Sequence, residues 1–262
     1  MDDKGRIYAH GVEDVIKEMR QEFLDEGGDA LRGIHLTIGG VRQGQMTMDA
    51  LVKEVLRLSR FLHAQAVALD MPLIPEVSSR MEDYLANAKS YPPHALEDLE
   101  AFAELLLDIL EGRVDPDTDP AKLVRGLPPK ATFEVGDIEV RNVEVMLVMH
   151  HDAAAHFVER ELQQCGYRTS IVSSTLKAIP MILRTKPDLV VVSAVMPDLG
   201  GIDLAIGLAA MPETRNVSIA VLTSLDKDNE LLQLLPKKVP IIRKGASFGD
   251  DLANALDMLF LL

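Results

Sequence analysis

At 262 residues and 47% apolar content, the chain is long enough for two domains with substantial cores. It carries 41 acidic against 27 basic residues, a net charge of -14, and no run of Lys and Arg, which argues against a general binder of nucleic acid or of anionic membrane. The single cysteine, Cys165, excludes an internal disulfide and reads as a packed thiol; no stretch approaches the roughly 20 apolar residues of a membrane span, and residues 1–6 are too polar for a signal segment, so the expected location is the cytoplasm.

Residues 1–10 read as a polar tail. From 12 to 24, Val12, Val15, Ile16, Met19 and Phe23 share one helical face, opposite Glu13, Lys17, Glu18 and Arg20. Gly27-Gly28 is expected to stop that helix. Residues 29–45, with Gly33, Gly39, Gly40 and Gly44, read as a connector in which 34–38 is either a short helix or an extended piece. Thr47 has the chemistry of an N-cap. The helix after it carries Leu51, Val55, Leu58, Leu62, Ala66 and Leu69 at spacings of three and four, a bundle-facing stripe. Asp70-Met71-Pro72 ends it, and Pro75 opens another helix with Val77, Met81, Tyr84 and Leu85 inward. After a turn at 90–93, residues 96–110 place Leu99, Phe102, Leu106 and Ile109 on one face. Residues 1–112 are therefore expected to form an antiparallel bundle of about four helices.

Residues 113–142 have a linker's composition, with Pro116, Pro120, Pro128 and Pro129 among aspartates. One helical turn fits 121–124, and a small hairpin fits 132–140 around Gly136-Asp137. From 143 to 262 the rhythm becomes strand–helix. Apolar strands at 145–148, 169–172, 189–192, 219–223 and 240–242 alternate with helices at 155–165, 176–184, 202–210, 231–235 and 250–261. That alternation predicts a five-stranded doubly wound parallel sheet, so the chain as a whole reads as α + α/β.

In such a sheet chemistry collects at the carboxyl ends of the strands. The stretch from Pro187 to Gly201, PDLVVVSAVMPDLGG, runs from the third strand into a loop closed by Met196-Pro197 and Gly200-Gly201, with Ser193 at the strand tip. This pattern resembles the receiver domains of two-component response regulators, and the resemblance covers 143–262. The resemblance implies an acidic pair after the first strand for Mg²⁺, an aspartate on the third strand that accepts phosphate, a Ser or Thr after the fourth and a Lys after the fifth. Thr223 and Lys244 match the last two positions, although Gly245 stands where the family has proline. The acidic pair maps onto Met149 and His150, and the acceptor onto Ser193. A thioether and an imidazole do not make an oxygen-rich Mg²⁺ site, and a serine without an evident base is a poor phosphate acceptor. The expectation is a degenerate pseudo-receiver with no metal. Neither rival chemistry has its signature: His150, His151, Asp152 and His156 lack a recognised metal-ligand spacing, and Ser193 lacks a Gly-x-Ser-x-Gly context.

A helical bundle ahead of a receiver resembles a histidine-phosphotransfer domain. The segment Arg60-Phe61-Leu62-His63-Ala64-Gln65-Ala66, followed by Glu82, is similar to that family's phosphohistidine helix, with Arg60 at the phosphohistidine position and His63 at the lysine position. The functional expectation is a non-catalytic signalling adaptor, not an enzyme and without a cofactor. Its expected partners are a histidine kinase, a phosphotransfer protein or a response regulator, and the apolar end of the last helix offers a self-association face. The alternatives are a working phosphorelay component that uses His63 or a shifted acidic site, and an anion or small-ligand sensor at the strand tips.

Overall fold

The computed structural model describes residues 3–86, 91–129, 142–226 and 228–260. The chain divides into two compact units, Met1–Pro128 and Pro129–Leu262.

In the first unit, α1 (Asp3–Arg42) is a single helix of 40 residues. It overturns three expectations: residues 3–10 begin the helix rather than forming a tail, Gly27-Gly28 does not stop it, and residues 29–42 continue it rather than connecting. The reason is energetic. Each helical glycine costs about 1 kcal/mol against alanine, so Gly27, Gly28, Gly33, Gly39 and Gly40 together cost about 5 kcal/mol. Phe23, Leu31, Ile34 and Ile38 lie buried along the same helix. Burying four such side chains contributes about 6–12 kcal/mol. Gly27 also sits at a close crossing, where a Cβ would lie 3.1 Å from both Leu62 Cδ2 and Leu110 Cδ1.

Helix α2 (Met48–Ala68) starts at Thr47, whose hydroxyl accepts a hydrogen bond from the Ala50 N–H. Its expected stripe is buried from Leu51 to Leu69. Arg20 closes the other end by donating to the Leu69 carbonyl at 2.6 Å. Helix α3 (Leu73–Leu85) and helix α4 (Ala95–Leu110) complete the bundle. Within these four, α1 packs on α2 and α4, and α3 packs on α2 and α4. Tyr84 and Phe102 meet at the core with ring centroids 5.7 Å apart.

Part of the stretch read as linker is packed. Asp119 caps α5 (Pro120–Gly126), with Pro120 in the first turn. Ala121, Val124 and Leu127 are buried, and Leu127 joins the bundle core. Two prolines and three aspartates had masked this short apolar spacing. The hairpin expected at 132–140 lies outside the described residues.

The second unit holds β1 (Glu144–Val148), α6 (Ala153–Gln164), β2 (Arg168–Val172), α7 (Thr175–Thr185), β3 (Leu189–Ser193), α8 (Gly201–Ala210), β4 (Ser218–Thr223), α9 (Glu230–Gln233), β5 (Ile241–Arg243) and α10 (Phe248–Phe260). All four pairings are parallel, in the order β2-β1-β3-β4-β5, the flavodoxin-like arrangement. Alternate side chains serve the two faces. Val145, Leu147, Leu189 and Val191 pack toward α6 and α10, while Met146, Val148, Val190 and Val192 pack toward α7, α8 and α9. Both faces are covered, which is why β1 and β3 are apolar at nearly every position. Among the described residues, no helix is long and apolar enough to cross a membrane.

Candidate functional site

Strands β1 and β3 are adjacent at the centre of the sheet, so the loops after them diverge there and leave a crevice. A recess of about 110 Å³ occupies this place, and its lining includes Met149, His150, Asp152, Ser193, Thr223 and Lys244. Every receiver position read from the sequence thus meets at one site.

Met149 follows β1 directly. Its N–H donates to the Val172 carbonyl at 3.1 Å, which extends the ladder by one residue. The side chain is 2% exposed and belongs to the core between the sheet, α6 and α10. His150 is exposed, and its carbonyl accepts from the Asp152 N–H. Asp152 is the N-cap of α6: one carboxylate oxygen accepts the Ala155 N–H at 2.9 Å. That bond, with help from the Ala154 N–H and the nearby Lys244 and His150, holds the Asp152 carboxyl below the usual carboxylate range.

Ser193 ends β3, and the Ala194 N–H donates across to the Leu222 carbonyl at 2.8 Å. The Ser193 hydroxyl, 8% exposed, donates to the Val195 carbonyl at 3.4 Å. The loop then turns back through Asp198 at a φ of 62°, and the Gly201 N–H reaches the Ala194 carbonyl at 3.1 Å. A Cβ on Gly201 would lie 1.8 Å from the Ser193 carbonyl oxygen. The glycine in the motif therefore has a steric cause: the start of α8 lies directly against the tip of β3. Thr223 ends β4 with its hydroxyl accepting the Leu225 N–H at 2.9 Å, and its carbonyl accepts the Lys244 N–H at 2.8 Å. Gly245 follows with a φ of +124°, a region that proline cannot enter.

The receiver resemblance implies Mg²⁺ at this place. Mg²⁺ requires an octahedron of oxygens. The donor set here offers a buried thioether, an exposed imidazole and one carboxylate already engaged as a helix cap. These residues do not fit the ion. Among the described residues no group of three or more His, Cys, Asp or Glu could hold a metal ion at all.

The sequence favours a loop-capping role for the group His150, His151, Asp152 and His156 over a metal site, and Asp152 is the residue that caps: Asp followed by three alanines is a strong helix start. Sequence reasoning missed Val195 and Ser224 in the lining. Val195 is 67% exposed, an apolar side chain standing beside the recess.

In the bundle, Arg60 and His63 lie one turn apart on α2, facing α3. The Arg60 Nε lies 3.6 Å from a Glu82 carboxylate oxygen, and the His63 Nδ1 lies 3.2 Å from the Ser79 hydroxyl. The position that the sequence resemblance aligns with a phosphohistidine thus holds a guanidinium paired with Glu82. Behind this face the Ser59 hydroxyl donates to the Ser78 carbonyl at 2.8 Å; these small buried residues lie where α2 and α3 pack together.

No protein-family model matches the chain, and no curated protein matches it. Solved structures similar to it include a response regulator from Desulfuromonas acetoxidans, at 26% identity over 46% of this chain and 98% of that one, with a TM-score of 0.40. The receiver domain of a sensor histidine kinase from Pseudomonas aeruginosa, solved with magnesium coordinated in its active-site cleft, is 20% identical over 45% of this chain and 98% of its own, with a TM-score of 0.40. The signal receiver domain of a histidine kinase from Syntrophus aciditrophicus is 22% identical over 46% and 92%, with a TM-score of 0.41. On its own strand order, and on the convergence of its strand-tip residues in one recess, the carboxyl-terminal unit of this protein has a receiver-like fold.

Proposed function

We propose that this protein is a non-catalytic signalling adaptor of a two-component pathway, in which a degenerate receiver joined to a helical bundle acts by protein–protein contact without aspartyl phosphorylation. One observation carries this reading: the recess has a buried thioether where the metal ligands would stand, and a hydroxyl turned onto its own loop where the acceptor carboxylate would stand. Two further contacts support the reading. Met149 is locked into the sheet ladder and the core, and the Asp152 carboxylate caps α6.

The partners that suit this reading are a histidine kinase, a phosphotransfer protein or a response regulator. The Arg60–Glu82 pair supports reading the bundle as a phosphotransfer domain that has lost its reactive histidine. Pairing of two copies through the last helix belongs to the same proposal. Met258 on α10 is half exposed, while Leu261 and Leu262 lie outside the described residues.

The deciding experiment exposes the full chain to acetyl phosphate with Mg²⁺, and separately to a phosphorylated receiver, and reads the intact mass. The expected result is no added phosphoryl group in either case. A stable addition overturns the proposal. Fragmentation that places it on His63 would establish the phosphorelay reading instead.

A further inference from the structure

A second cavity lies at the opposite end of the sheet from the recess, where β4 begins and the chain approaches β5. It has a volume of about 250 Å³, just below the ~300 Å³ at which drug-sized ligand sites begin. Its apolar lining comes from Val217, Ile219, Val239, Met258 and Leu259. Ile219 and Val239 are buried in the sheet core, whereas Met258 remains 48% exposed on α10. The polar part of the lining includes Arg215 and Lys238. Lys238 donates to the Arg215 carbonyl at 2.7 Å, which ties the loop before β4 to the loop before β5.

The charge at this cavity runs against the rest of the molecule. The chain has 41 acidic and 27 basic residues, so a cation on its surface normally finds a carboxylate nearby. Neither Arg215 nor Lys238 makes an ion pair among the described residues, and Lys237, next to Lys238 in the chain, is a further exposed cation. Glu213 and Asp257 are close in sequence, yet no carboxylate lines the cavity. Two like charges lining one cavity without a counter-charge leave it electropositive, and an apolar pocket open to water forfeits the contacts that would fill it. An anionic head on a short apolar body relieves both.

We propose that this cavity binds a small amphiphilic anion: an acidic head held by Arg215 and Lys238, with an apolar chain against Val239, Met258 and Leu259. The site is independent of the strand-tip recess and does not rest on how that recess is read.

Methionine-methyl NMR on the full chain tests it, because Met258 reports this cavity and Met149 reports the recess. The two signals are assigned with Met258→Leu and Met149→Leu. The probe is hexanoate, compared with hexanol, which lacks the charge, and acetate, which lacks the chain. Hexanoate should shift the Met258 signal saturably and leave Met149 in place, with both comparison compounds bound at least about tenfold more weakly. Arg215→Gln and Lys238→Gln should each weaken hexanoate about fivefold, and Lys244→Gln should leave it unchanged. The proposal is overturned if Met258 does not move saturably, if hexanol binds as well as hexanoate, if neither rim variant weakens binding, or if Met149 moves in parallel.

Discussion

Replacing Gly201 by alanine tests the geometry at the tip of β3 directly. The added Cβ would stand 1.8 Å from the Ser193 carbonyl oxygen, 2.8 Å from the carbon of the same carbonyl and 3.0 Å from Val192 Cγ2. The first two are backbone atoms and cannot swing aside. To restore ordinary contact, the start of α8 must retreat by about 1.5–2 Å. That retreat breaks the Gly201 N–H bond to the Ala194 carbonyl, now at 3.1 Å, a loss of about 1 kcal/mol. The accompanying strain adds about 1–3 kcal/mol. The total destabilisation is therefore about 2–4 kcal/mol. Gly207 is the internal control. It lies in the same helix, and a Cβ there meets nothing within 4 Å. Gly207→Ala should stabilise by about 0.5–1 kcal/mol, because helical glycine is costly. Native-state hydrogen exchange followed on β3 peptides reads both. Gly201→Ala should speed exchange of the Val190 to Val192 amides by about 30- to 1,000-fold, and Gly207→Ala should slow it. If the two variants behave alike, or if Gly201→Ala is neutral, the close approach of α8 to β3 is wrong, and so is the account of the loop that closes the recess.

Two further outcomes follow from the caps and glycines. Asp152→Ala removes the α6 cap and should cost about 1 kcal/mol at neutral pH. Because the folded carboxyl titrates below its ordinary value of 3.8, the charged cap's contribution is fully present above that value and is lost as pH falls through the lower folded value. Denaturation curves of the parent and the variant should therefore converge in acid; a constant gap down to the lowest pH would refute the charged cap. Gly33→Ala and Gly39→Ala each place a methyl where nothing lies within 4 Å, so each should raise stability by up to about 1 kcal/mol if α1 is continuous there. If residues 29–42 were a loop instead, urea midpoints would stay unchanged or fall.

The second unit was legible in outline because its signals are local. Five short apolar runs separated by helical spacing specify covered parallel strands, and the strand-tip residues are found by counting along the chain. The receiver resemblance implied one site for Ser193, Met149, His150, Thr223 and Lys244, and these residues line one recess. The first unit was harder. Its α2 stripe and Thr47 cap were readable. Its longest helix was not, because five glycines from Gly27 to Gly40 argue locally against a helix that distant packing enforces. The helix Pro120–Gly126 was hidden in the same way: composition said linker, while Ala121, Val124 and Leu127 found a core elsewhere.

The sequence by itself determined the alternation of apolar strands and helices from 143 to 262, and with it which residues, Met149, Ser193 and Thr223 among them, stand at the strand ends. Apolar runs of this length and spacing are local signals, which is why they are readable along the chain. Tertiary structure alone decided that Gly201 is demanded by a carbonyl eight residues earlier in the chain, and that Arg215 and Lys238 share a cavity with Met258. These are facts of proximity between separate elements, set by burial summed over whole faces. No local periodicity records them.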